Sequence, residues 1–222
     1  MRGRRLLAID TSGMDALVAL GEEDGGLVAE RRWAAGYRHG EELLTRIDHL
    51  LSANGVPLAE LGGIVVGTGP GAFTGLRVGL ATAKALAHGL GIPIAGVASS
   101  EALLAAVARE GDHKLALLLP AGPSDRVLVL DGVATLVRGG EELELDRATT
   151  LVAVDLPDRA PAAAQAAGMQ AEVGLSAAML RLGARKLAAG GDDVALLVPE
   201  YVTLPRGVPV AKGEVRWSHD RR

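Results

Sequence analysis

Cysteine is absent from the 222 residues, which excludes disulfides, thiolate metal sites and a cysteine nucleophile and agrees with a cytoplasmic address. Aromatic residues make up only 2% of the chain, too few for the stacking platforms that read single-stranded or flipped bases. There is no basic excess: a formal net charge of −4 and a pI near 5.8 give no field able to neutralise many phosphates, so any nucleic-acid role is expected to be indirect. Charges and glycines interrupt every apolar run well short of the ~18 residues of a membrane span. The opening MRGRRLLAID holds too short an apolar segment for a signal-peptide core.

Chemistry-bearing motifs are sparse. The five histidines, His39, His49, His88, His113 and His219, never pair at zinc spacing, HExxH is missing, and no serine sits in a G-x-S-x-G elbow. No metal site is expected on the chain. His39, just ahead of Glu41 and Glu42, reads as a helix-starting residue, and Trp33 and Tyr37 read as packing.

Glycine, in contrast, is plentiful. Between Gly67 and Gly79 the chain reads GTGPGAFTGLRVG, five glycines in thirteen residues, after the apolar run Ile64, Val65, Val66 and before a long helix-like run. That is a strand, a backbone-lined loop and a helix start, where free N–H groups and a partial positive charge suit an anion or a docked partner. The Walker pattern is excluded because Leu76 and Arg77 follow Gly75, and no G-x-G-x-x-G register exists.

Short strand-like runs at Arg5–Ile9, Ala16–Gly21 and Leu27–Trp33 are separated by turn chemistry and predict an antiparallel meander. Leu43, Leu44, Ile47, Leu50 and Leu51 predict a helix over Glu41–Asn54, stopped by Asn54-Gly55. A strand at Gly63–Val66, a helix at Thr74–Leu90, a strand at Ile94–Val97 and a helix capped by Ser99 or Ser100 follow. Lys114–Leu119, Arg126–Asp131 and Ala134–Val137 repeat the opening meander in degenerate form, with Leu119 and Pro120 where the first copy has Asp10. Beyond Gly139 the chain is polar, then alanine-rich over Ala160–Ala171, then helical over Leu175–Ala189. The expected organisation is an amino-terminal lobe (1–107), a degenerate second lobe (108–199) and an extended tail (200–222), in an α/β fold with mixed sheets.

Two sets of residues stand out. Asp10, Thr11 and Ser12 at a strand end can hold a magnesium ion or its water and accept a phosphate, or can form an ordinary Asx turn. With Gly67, Gly69, Gly71 and Thr74 of the loop they make a vestigial nucleotide-type site. Gly75, Gly79, Ala83 and Ala87 form a small-residue ridge opposite Arg77, Lys84 and His88, and either pack on the chain's own sheet or meet another molecule. With Leu43, Leu44 and Ile47 the ridge is the candidate partner surface.

LLAIDTS at 6–12, RHGEELL at 38–44 and GIVVGTGPGAFTGLRVGLATAKALAHGLGIPIAGVASSEAL at 63–103 resemble the TsaB family, partners in bacterial synthesis of threonylcarbamoyladenosine beside the tRNA anticodon. The resemblance covers residues 5 to about 107. It implies a duplicated actin-like ATPase (ribonuclease H-like) fold and a non-catalytic subunit that binds the catalytic paralogue TsaD and the ATPase TsaE. It further implies a homodimer when the subunit is alone, and contact with tRNA only through the complex. Nucleotide and metal then belong to partners or composite sites. TsaD-like proteins carry a metal-binding H-x-x-x-H after the I-P strand; those positions fall here on Ser99 and Leu103, with only Glu101 between them, so the transfer chemistry is not expected on this chain. Departures are AGPSDRVL at 121–128 in place of D-A-R-x-x-E-V-Y, and Thr203 in PEYVTLPRG where arginine is usual. Two rival functions, an independent ATP-dependent phosphotransferase using Asp10 and the loop, and an M22-type metallopeptidase, remain beside this reading.

Overall fold

A computed structural model describes residues 4–34, 39–109 and 114–202, the side chains of 39–41 excepted. Tyr37, His113, His219, Thr203, the side chain of His39 and the tail beyond 202 lie outside the described residues.

The opening meander forms as its turns dictate. Strands β1 (Arg5–Asp10), β2 (Asp15–Gly21) and β3 (Leu27–Ala34) pair antiparallel. Helix α1 (His39–Ala53) and a short 3-10 turn lead to β4 (Leu61–Gly67), which returns parallel to β1 with Leu7 opposite Ile64. Helix α2 (Phe73–Leu90) ends on Gly91, whose φ of 63° allows the left-handed cap. Strand β5 (Ile94–Val97) and helix α3 (Ser99–Val107) complete a sheet of order β3-β2-β1-β4-β5.

The second half repeats this plan with parts missing. Strands β6 (Lys114–Pro120), β7 (Arg126–Leu130), β8 (Val133–Val137) and β9 (Thr149–Ala153) form a sheet of order β8-β7-β6-β9, with β9 parallel to β6 as β4 is to β1. Asp131 and Gly132 both take positive φ, the two-residue turn that suits a twisted hairpin. No helix stands between β8 and β9 where the first half has α1. The result is a duplicated actin-like α/β fold with a degenerate second lobe.

Period-two alternation puts Leu7, Ile9, Val18, Leu20, Ile64 and Val66 under α1 and α2 on one face of the first sheet. Leu6, Ala8, Leu17, Ala19 and Val65 meet α4 (Ala162–Ala188) on the other. This long helix corrects two expectations: it begins at Ala162, within the alanine-rich segment, and it serves both lobes. Ala164 and Ala171 pack with the second sheet, whereas Ala178, Met179, Leu180 and Ala184 pack with the first. Asp192 then bridges to Ile94 at the edge of the first sheet, so the chain after α4 returns to the first lobe. Strand β9, absent from the expectation, lies in the stretch read as polar: only Leu151 to Ala153 are apolar, and pairing with β6 supplies the rest.

The small-residue ridge of α2 is turned inward. Gly75, Gly79, Ala83 and Ala87 are all buried by the chain's own β1 and β4 side, as are Leu43 and Ile47 of α1. A ridge without side-chain bulk lets α2 approach the sheet closely, which is the alternative to an intermolecular contact. Of the seven residues expected to meet a partner, Leu44 alone is exposed, at 58%.

Candidate functional site

The parallel pairing of β1 and β4 brings Asp10 beside Gly67. Asp10 is 2% exposed, and both of its carboxylate oxygens are occupied from within. Oδ1 accepts the Ser12 amide at 2.7 Å and the Ser12 hydroxyl at 2.6 Å; Oδ2 accepts the Ser99 hydroxyl at 2.6 Å. Ser99 therefore does not cap α3 as expected. It sits inside the first turn, Ala98 is the capping position without a side-chain bond, and the Ser99 Oγ accepts the Gly69 amide at 3.2 Å.

The glycine loop closes on this strand end. Thr11 donates its hydroxyl to the Gly75 carbonyl at 2.7 Å, and the Ala72 amide donates to the Ser12 carbonyl at 2.7 Å. A Cβ on Gly67 would strike Asp10 and Ser99, one on Gly71 the Ser12 backbone, and one on Gly79 the Thr11 hydroxyl. The glycines admit the chain's own atoms. The amides of Thr68, Gly69 and Ala72 are all committed to protein acceptors, and Pro70 has none to give. Thr74, the remaining candidate of this set, is exposed at the start of α2. These residues do come together, joined to one another by hydrogen bonds within the chain.

The segment after α4 covers the loop from outside. Glu200 donates its amide to the Thr68 carbonyl at 2.8 Å, and Tyr201 lies against Phe73 with ring centroids 4.8 Å apart. Arg77 stands over the same Phe73 ring at 5.3 Å. The first residues of the expected tail are thus a strap on the loop.

Between the lobes is a cleft of about 670 Å³. Leu17, Leu103, Leu119 and Leu175 give it apolar walls, and Asp15, Asp155, Glu172 and Arg32 its polar groups. Asp155 follows β9 in the left-handed region at φ 57°, and its Oδ2 accepts the Met14 amide at 3.0 Å. Burial pushes the Asp155 carboxyl above its ordinary range, against the Met14 hydrogen bond and with help from Asp15. Burial likewise raises Glu172, with Asp155 and Asp15 adding to the rise and Arg32 opposing it. Sequence reasoning missed both carboxylates, because Asp155 depends on the unrecognised β9 and Glu172 on the unrecognised first half of α4.

A raised carboxyl binds its proton more tightly folded than unfolded. The stability it contributes is complete below the unfolded carboxyl range, about pH 4, and is lost as pH rises through the higher folded value. Glu172→Gln should therefore stabilise the protein at neutral pH, by less than ~1 kcal/mol because the group is half open to solvent. Thermal melts from pH 7 downward test this: the gain should vanish in acid, and a gain that persists there contradicts it.

Among the described residues no three histidine, aspartate or glutamate side chains gather as a metal site. Ser99 is committed to Asp10, and Leu103 is 5% exposed in the second-lobe core. No described helix is long and apolar enough to cross a membrane.

The family model described as TsaD, tRNA N6-adenosine threonylcarbamoyltransferase, matches residues 20–203. The tRNA threonylcarbamoyladenosine biosynthesis protein TsaB of Bacillus subtilis is 36% identical over 128 residues, 58% of this chain and 54% of that protein. Its namesake in Escherichia coli is 34% identical over 95 residues, 43% and 40% of the two chains. The matching segment thus spans about half or less of these curated relatives. A crystal structure from Pseudomonas aeruginosa, titled as similar to peptidase YEAZ, superposes with a TM-score of 0.66 at 23% identity over 90% of this chain and 100% of that one. At that identity the likeness concerns the fold.

Proposed function

The chain belongs to the TsaD family of tRNA N6-adenosine threonylcarbamoyltransferases, within which it is TsaB-like, and from this membership we propose that it serves threonylcarbamoyladenosine synthesis as a non-catalytic subunit. It binds a TsaD-like paralogue and, with it, a TsaE-like ATPase in the cytoplasm, and pairs with itself when alone. tRNA is reached only through the complex. The observation that carries this reading is the set of bonds at the strand end: Asp10 and the amides of Thr68, Gly69 and Ala72 are spent on the chain itself, and the positions of the metal pair hold Ser99 and Leu103. ATP, ADP and metal are accordingly assigned to the partners or to composite sites.

Exposed Leu44 on α1, close in sequence to buried Leu43 and Ile47, is the docking contact the proposal retains from the expected set. Sedimentation of the chain mixed with the TsaD-like protein of its own organism should show a complex, and no complex with or without nucleotide sinks the proposal. Leu44→Glu should weaken association about tenfold or more while leaving thermal stability within ±0.5 kcal/mol. Ala83→Glu, by contrast, should unfold the chain, since it places a charge in the core. Micromolar binding of magnesium-ATP by the isolated chain would favour the phosphotransferase reading instead.

A further inference from the structure

The interlobe cleft has α4 as its floor, presenting Glu172 and Leu175, and the two lobes as its walls. Asp15 projects from the first-lobe wall at the start of β2, and Asp155 from the second, just after β9. The polar contact joining the walls is the Met14 amide on Asp155 Oδ2. We propose that Asp15, Asp155 and Glu172 form a charge-sensitive latch, whose net negative charge sets how closely the two lobes approach.

The positive groups facing the cluster do not neutralise it. Arg32 of β3 is shared among Glu30 at 3.2 Å, the Val173 carbonyl at 3.5 Å and the Ser176 hydroxyl at 3.2 Å. Arg159 lines the cleft but donates to the carbonyls of Gly122 and Pro123 at 2.8 and 3.0 Å. Asp10, the fourth carboxylate of the lining, is turned into its bonds with Ser12 and Ser99. Three negative groups from β2, the loop after β9 and α4 therefore meet across a space with apolar walls, where like charges repel more strongly than in bulk water. The repulsion acts between walls, so removing one charge lets them close, while a protonated Asp155 still offers an oxygen to the Met14 amide. Burial and mutual repulsion already hold Asp155 and Glu172 toward their protonated forms.

The absence of cysteine makes the test direct. Cysteines introduced at exposed Ser52 in α1 and exposed Val133 at the start of β8 take nitroxide labels, one per lobe, and pulsed electron paramagnetic resonance reads their separation. The isolated chain should shift to shorter distances as the pH falls from about 7.5 to about 4, and Glu172→Gln should show the shorter distribution already at the higher pH. Asp15→Asn, an exposed change without folding cost, should do the same. Superimposable distributions at both pH values, or an unshifted Asp15→Asn, overturn the latch. No partner is needed, so the outcome is independent of the proposed role in tRNA modification.

Discussion

Gly168→Ala is expected to cost the protein about 2 kcal/mol or more, although alanine is the better helix former. In α4 the propensity gain is ~1 kcal/mol. Against it stands a Cβ placed inside the Ala153 carbonyl oxygen, with the Ala153 carbonyl carbon and the Val154 amide close behind. These are backbone atoms of the second sheet and cannot rotate away; the Val154 amide is itself bonded to the Leu118 carbonyl at 3.1 Å. Overpacking against fixed backbone costs 1–3 kcal/mol and can exceed that. Chemical denaturation should show a lowered midpoint. Gly89→Ala in α2, where a Cβ meets nothing within 4 Å, is the matched control and should stabilise by up to ~1 kcal/mol. If both variants were stabilised, the close seat of α4 on the second sheet would be wrong.

Asp10→Ala is expected to destabilise by about 3 kcal/mol, and to the same extent with or without magnesium-ATP. Removing the carboxylate strands three donors, the Ser12 amide and the hydroxyls of Ser12 and Ser99, in a buried setting. Bonds to an ionised acceptor are worth more than neutral ones, and each donor left bare adds its desolvation penalty. Asp10→Asn should be milder, because one acceptor oxygen remains and hydroxyls can reorient to accept. The measurement is equilibrium unfolding with and without nucleotide. An Asp10→Ala protein as stable as the parent that had lost nucleotide affinity would return this residue to the role of ligand group.

What the sequence disclosed and what it hid follow from how local each signal is. The short apolar runs LLAID and DALVALG and the turn residues between them define the first meander almost to the residue, because neighbours a few positions apart settle both. The glycine block likewise announces a loop where atoms approach closely. Which atoms approach is a long-range matter: Gly67 is small for Asp10 and Ser99, partners brought in by β1 pairing and by α3. The ridge on α2 has the same ambiguity, since a small-residue stripe looks alike whether it packs on its own sheet or on another molecule. Burial of Ala83 and Ala87 decides it. Strand β9 and the first half of α4 were illegible because their own residues carry weak patterns, polar in one and alanine-rich in the other; packing against β6 and the second sheet makes them regular. The cleft carboxylates went with them.

Helix α4 also governs the order in which the molecule can be assembled. Leu6, Ala8 and Leu17 find their cover in Met179, Leu180 and Ala184, which leave the ribosome only after all the strands of the second lobe. One face of the first sheet therefore waits, bare and apolar, through the making of the whole second lobe. Contacts so distant along the chain slow folding and lengthen exposure to aggregation. The amino-terminal half, though it holds the glycine loop, is for this reason not a unit that matures before α4 is made.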